Sequence, residues 1–193
     1  MSAFNPPTPS LLSLRRSTPA RLLAPPGPDP EQLRQLLTWA VHVPDHGRLA
    51  PWRFVCIRGD VRHHLGERLA TRSRERDPGA SEANVEKYRR RFSDAPVILT
   101  VIARLHTDHK IPVQEQLLSG GAVCFSLLLG AQALGLGAQW LTGWPAYDPE
   151  VARWFGLGGQ ERILGFIHLG TPTEAVPERE RPDPGSLLSD LAL

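Results

Sequence analysis

Ala95-Pro96-Val97-Ile98-Leu99-Thr100-Val101-Ile102-Ala103 is the stretch on which the fold turns. Apart from Thr100 it is continuously apolar and rich in β-branched residues. A half-exposed strand would alternate, so this one reads as a central strand buried on both faces. Working upstream, Arg53 to Arg58 reads as a strand, Gly59-Asp60 as a turn, and Val61 to about Thr71 as a helix capped by Asp60. Residues 72 to 92, including Arg89, Arg90 and Arg91, mix charges of both signs and read as a solvated helical excursion. Downstream, Gln114 to about Leu134 forms a long helix, Gly135-Leu136-Gly137 a turn, and Ala138 to Thr142 a short strand. Asp148 and Pro149 cap and open another helix, with Val151, Trp154 and Phe155 on one face and Gly156 as its stop. Ile163 to Leu169 supplies a further apolar strand.

Residues 1 to 28 read as an N-terminal arm around a short helix containing Leu11, Leu12 and Leu14, ended by Arg15, Arg16 and Ser17. Asp29, Pro30 and Gln32 have the spacing of an N-cap, a first helical proline and a capping-box partner. Leu33, Leu36, Leu37, Ala40 and Val41 then fall on one buried helical face. Pro44 stops that helix and leaves Asp45, His46 and Gly47 in a loop. The tail is charged and Pro-rich, and it ends in Leu187, Leu188, Leu191 and Leu193, which need something to pack against. A partner subunit would serve. The order of elements, without an internal repeat, predicts a single α+β or mixed α/β domain spanning residues 1 to 193.

A chain of 193 residues can bury a full core without disulfide or metal support. The apolar fraction of 41% and the net charge of +2 fit a soluble globular protein and supply no strong overall field for nucleic acid. Cys56 and Cys124 lack metal or redox spacing and read as buried free thiols. No secretory signal pattern precedes the first helix, so the expected compartment is the cytoplasm. Gly120 to Leu141 carries no charge, but Gln132, Gln139, Gly135 and Gly137 interrupt it and no basic cluster flanks it. It reads as a buried helix followed by a strand, and no membrane partner is expected.

Several sites are excluded by pattern. Gly135-Leu136-Gly137 follows a helix and precedes a strand, the reverse of a dinucleotide-binding turn. His42 and His46 have metal-like spacing, but Pro44 between them breaks the helix that would align them, so no metal is expected. Arg15-Arg16-Ser17 can meet a phosphate with two guanidinium forks and a hydroxyl, or can simply complement a helix dipole. Asp45-His46 before Pro51-Trp52-Arg53-Phe54 can present an imidazole to a ligand, or can form an Asx-type turn with an exposed histidine.

These segments, taken in order with Lys110-Ile111-Pro112, Glu115-Gln116, Ser119-Gly120-Gly121 and Gly165-Phe166-Ile167-His168-Leu169-Gly170-Thr171-Pro172, resemble the short bacterial nitroreductases of the YdjA-like group. The resemblance runs over roughly residues 12 to 190. It implies an α+β nitroreductase-like fold, a central, mainly antiparallel sheet flanked by helices, in an intertwined homodimer with FMN at the interface. It also implies that residues 173 to 193 pack on the partner.

Carried over by position, the resemblance assigns FMN contacts to Arg15, Arg16 and Ser17, to His42 and His46 from the other subunit, and to Trp140, Leu141 and Thr142. It assigns Gly130, Ala131, Gln132, Ala133, Leu134 and Gly135 to the nicotinamide nucleotide, although those side chains also read as a small-residue packing surface. Arg179 and Arg181 could hold the FMN phosphate or belong to a solvated tail. The implied activity passes hydride from NAD(P)H through flavin N5 to an electron-poor small molecule such as a nitroaromatic or quinone, with no catalytic side chain nominated. Arg15 or Arg16 is the expected stabiliser of negative charge on reduced flavin. The alternative is a non-catalytic flavin-binding carrier or sensor.

Overall fold

The computed structural model describes residues 8–191; Leu193, expected at the apolar terminus, lies outside them. Five strands, β1 (Leu23–Ala24), β2 (Trp52–Arg58), β3 (Val97–Arg104), β4 (Gly137–Leu141) and β5 (Glu161–Pro172), form one sheet in the order β1-β5-β3-β2, with β4 also paired to β5. Every pairing is antiparallel. Six helices flank it: α1 (Thr8–Ser13), α2 (Pro30–Ala40), α3 (Val61–Arg76), α4 (Glu82–Arg89), α5 (Val113–Ala133) and α6 (Pro149–Trp154). The architecture is α+β, an antiparallel sheet between helices, as the sequence leads one to expect.

β3 sits between β2 and β5, and every residue from Val97 to Ala103 is buried. Its alternation divides the core. Val97, Leu99 and Val101, with Ile167 and Leu169 of β5, pack against Leu36 of α2 and Val123, Leu127 and Ala131 of α5. Ile98 and Ile102, with Ile163 and Phe166, face Leu69 of α3, Phe92, Val151 of α6 and Phe155 just after it. Phe166 meets Phe92 edge-on at 5.1 Å between ring centroids. Each such side chain stabilises the fold by about 1.5–3 kcal/mol through burial alone.

Local chemistry fixes the helix starts. Asp29 Oδ1 accepts from the Gln32 N–H at 2.7 Å while Gln32 Oε1 accepts from the Asp29 N–H at 3.0 Å, the reciprocal box expected from spacing. Asp148 accepts from the N–H groups of Glu150 and Val151 and opens α6. α5 is the one helix among the described residues long and apolar enough to cross a membrane, and it packs on α2, β3, β4 and β5 as the central helix of the fold.

Some expectations are corrected. α3 runs to Arg76, beyond Thr71, and Asp60 precedes it with helical backbone angles and no side-chain cap bond. α1 ends at Ser13, so Arg15, Arg16 and Ser17 lie beyond the helix. The charged segment 72 to 92 is only partly solvated. Arg72 and Arg76 bind the fully buried carboxylate of Asp148, and Arg91 turns inward. Burial opposes ionisation of Asp148, yet Arg72, the Val151 N–H, Arg76 and the Glu150 N–H hold its pKa below the usual value. Cys124 is buried, which pushes its thiol up to about 12, but Cys56 is exposed on β2 because β2 is an edge strand.

Candidate functional site

After α1 the chain turns alongside β4: the Thr18 N–H donates to Ala138 O at 2.9 Å, and the Ala20 N–H to Gln139 Oε1 at 2.7 Å. Arg15, Arg16 and Ser17 therefore stand beside that strand. The tail returns to the same place. Arg181 Nη2 reaches Arg15 O at 3.5 Å, Arg16 pairs with Glu178, and Arg181 donates to Glu178 at 3.3 Å. Arg15 donates to Ser17 Oγ at 3.3 Å and stands over the Phe125 ring of α5 at 5.9 Å. Its pKa is pushed down, first by burial and then by the charges of Arg181, Arg179 and Arg16. Guanidinium groups from both ends of the chain thus converge with Glu178 as the carboxylate among them, an arrangement that an added anion would relieve.

At the far end of β4, the Trp140 indole N–H donates to Leu164 O at 3.1 Å, and the ring occupies the space a side chain on Gly165 would need. Trp140 keeps 37% of its surface exposed, enough to offer an aromatic wall. Leu141 closes the strand and Thr142 follows it, with its carbonyl accepting from Arg91. Leu164 also lines a cavity of about 430 Å³ with Leu117, Tyr147, Leu157 and Arg162. Sequence reasoning missed that cavity because its walls come from α5, α6 and β5.

The loop after α2 is held on several sides. Asp45 accepts from the N–H groups of Leu49 and Ala50, Ser119 donates to Pro44 O at 2.6 Å, and His46 Nδ1 donates to Glu115 Oε2 at 2.6 Å. Those bonds maintain left-handed backbone at Arg48 (φ 54°) and Ala50 (φ 44°), a strain of roughly 1–3 kcal/mol per residue. His42 is exposed at the end of α2. Pro44, His46, Glu115, Leu118, Ser119 and Ala122 line a cavity of about 310 Å³. Within one chain, His46 lies along α5 from Arg15: Leu118 beside it and Phe125 beside Arg15 are seven residues, or roughly 10 Å, apart.

The segment from Gly130 to Gly135 divides. Gly130 and Ala131 are buried, with Gly130 against Leu36 and Trp39 of α2. Gln132 donates to Leu11 O, and Gln132, Ala133 and Leu134 are half-buried, leaving Gly135 exposed. Along α5, Leu118 and Phe125 are exposed on one stripe, and exposed Trp39 of α2 lines a cavity with Ser126, Leu129 and Gly130 of the same helix.

A family model described as the nitroreductase family matches residues 12–171. YdjA of Escherichia coli (strain K12), which bears the name of an NAD(P)H nitroreductase, is 35% identical over 175 residues, covering 90% of this chain and 93% of its own length. A Haemophilus influenzae protein with the same type of name is 32% identical over 172 residues, 89% and 91% of the two chains. Among solved structures, a nitroreductase-like protein from Bacillus cereus superposes with a TM-score of 0.81 at 22% identity over 96% of each chain. A nitroreductase-type protein from Desulfovibrio desulfuricans, solved in complex with FMN, gives 0.73 at 23% identity over 96% and 98%.

Proposed function

The chain belongs to the nitroreductase family, and on that premise we propose that it is an FMN-dependent oxidoreductase taking hydride from NAD(P)H and passing it to an electron-poor small molecule, as a homodimer in the cytoplasm. The observation that carries this reading is the convergence of Arg15, Arg16, Arg179 and Arg181 beside β4. Mutual repulsion within that cluster suits it to a phosphate dianion, so the residues present fit the phosphorylated end of FMN.

Arg15, Arg16 and Ser17, joined by Arg179 and Arg181, would hold the phosphate. Trp140, Leu141 and Thr142 would line the ring, and His42 and His46 would approach from the partner. When bound, FMN supplies the redox chemistry at N5, in alternate reduction by NAD(P)H and oxidation by a nitroaromatic or quinone. The chain's part is to bind, orient and exclude water, and no side chain is assigned a catalytic role. For the nicotinamide nucleotide, only Gln132 to Gly135 of the family-assigned segment has surface to offer. The exposed stripe of Leu118 and Phe125 on α5, together with Leu187, Leu188 and Leu191 of the tail, supports an interface with a second copy.

The test is the visible spectrum of the purified protein, followed by anaerobic addition of NADH or NADPH. Bound flavin that bleaches within the turnover time with either nucleotide supports the enzyme. Flavin that binds but bleaches only slowly supports a carrier or sensor, and a protein that takes up no FMN overturns the proposal.

A further inference from the structure

Arg91 is a half-buried cation, its Nε shielded from solvent, that the binding scheme above leaves unused. Its guanidinium donates to Thr142 O, its Nε has no partner among the described residues, and no carboxylate acts on it. Burial pushes its pKa down, with Tyr88 only partly opposing. His168 of β5, which feels its charge, is fully buried with both ring nitrogens unpartnered and is held neutral, its pKa lowered to about 3 by burial and then by Arg91. A guanidinium drawn partly out of water without a counter-charge is left with unspent field, which the nearest carbonyl receives.

The Thr142–Gly143 peptide is the route by which something can. A trans peptide directs its N–H opposite to its C=O, so pinning the Thr142 carbonyl on Arg91 turns the Gly143 N–H away from the core. Gly143 is exposed and adopts φ 68°, ψ −171°, a backbone region open essentially to glycine alone. Its N–H donates to no acceptor among the described residues. A cation on the carbonyl polarises the peptide and strengthens that N–H as a donor.

We propose that Arg91 is a positioning residue which, through Thr142 O, orients and polarises the Thr142–Gly143 peptide to meet the negative charge that reduction places on the flavin ring. The inference rests on the FMN reading above, because Trp140 to Thr142 are the residues assigned there to the ring. Arg91 touches no cofactor in this scheme. Its charge favours reduced over oxidised flavin from behind the strand.

The experiment compares wild type, Arg91→Gln and Arg91→Lys by FMN titration and by midpoint potential. Gln keeps a donor for Thr142 O but removes the charge. Its preference for reduced over oxidised FMN should fall about tenfold, which lowers the two-electron potential by about 30 mV. Lys should stay close to wild type. A wild-type potential in Arg91→Gln, or equal shifts in both variants, would overturn the role of the charge while leaving the FMN reading intact. Should Arg91→Gln not fold, Gly143→Ala strains the same peptide from the other side: weaker FMN binding in a folded protein is expected, and wild-type binding overturns the inference. Wild type that binds no FMN overturns both readings.

Discussion

The indole nitrogen of Trp140 lies where a Cβ on Gly165 would have to stand, and it uses that opening to donate to Leu164 O at 3.1 Å. The side chain on one strand is seated by the missing side chain on its neighbour. Gly165→Ala should therefore push the ring off β5, costing about 1–3 kcal/mol and weakening FMN binding together. Thermal melting and an FMN titration check this, and a variant unchanged in both would remove Trp140 from the site.

Removing charge from the convergent cluster should empty it. Arg15→Ala with Arg16→Ala is expected to lower FMN affinity at least tenfold, since hydrogen bonds to a charged group contribute about 1.5–3 kcal/mol each. Arg179→Ala with Arg181→Ala should also lower it, which a merely solvated tail would not. The ratio of flavin to protein absorbance after purification reads both, and undiminished occupancy in the first pair contradicts the phosphate assignment.

The main elements were readable because local patterns and tertiary packing agree. Val97 to Ala103 is buried on both faces as its run, apolar but for Thr100, implies, and the Asp29–Gln32 box and the Asp148 cap form as spaced. What stayed hidden depends on chain segments far apart in sequence. Arg181 meets Arg15 across 166 positions, so no local pattern could separate a phosphate ligand from a solvated arginine. Arg91 sits among charged neighbours and reads as surface, yet its contact is Thr142 O, 51 residues on. Cys56 lies in an apolar stretch but on an edge strand, and composition carries no sign of which strands are edges.

His168 should govern part of the acid response. Its pKa is about 3 in the folded chain against 6.5 unconstrained, so only the unfolded state takes up a proton between those values. Stability is therefore full above about pH 6.5 and falls as pH drops through that window. His168→Leu removes both unpartnered nitrogens at similar volume. It should be no less stable at neutral pH and should lose less stability on acidification to pH 4, as measured by denaturant titration at each pH. Parallel curves for the two proteins would contradict it.

The apolar stripe on α5 predicts the state of assembly. Phe125→Asp places a charge on exposed surface in an isolated chain, where substitutions stay within about 0.5 kcal/mol, but in the middle of the proposed interface. Light scattering should show wild type at twice the chain mass and the variant as a monomer with little FMN. Wild type at single-chain mass would exclude the dimer.

β5 is both the hub of the sheet and, among the described residues, the strand furthest along the chain, for β1, β3 and β4 all pair with it. A nascent chain that has emerged only to residue 160 owns a single strand pair, β2 with β3, and Leu23 must wait for Pro172 to arrive. Contacts so distant make folding slow and essentially post-translational, with β3 unprotected on one side during the wait. Loss of a C-terminal piece that takes β5 with it would thus remove three of the four strand pairings and leave only β2 with β3.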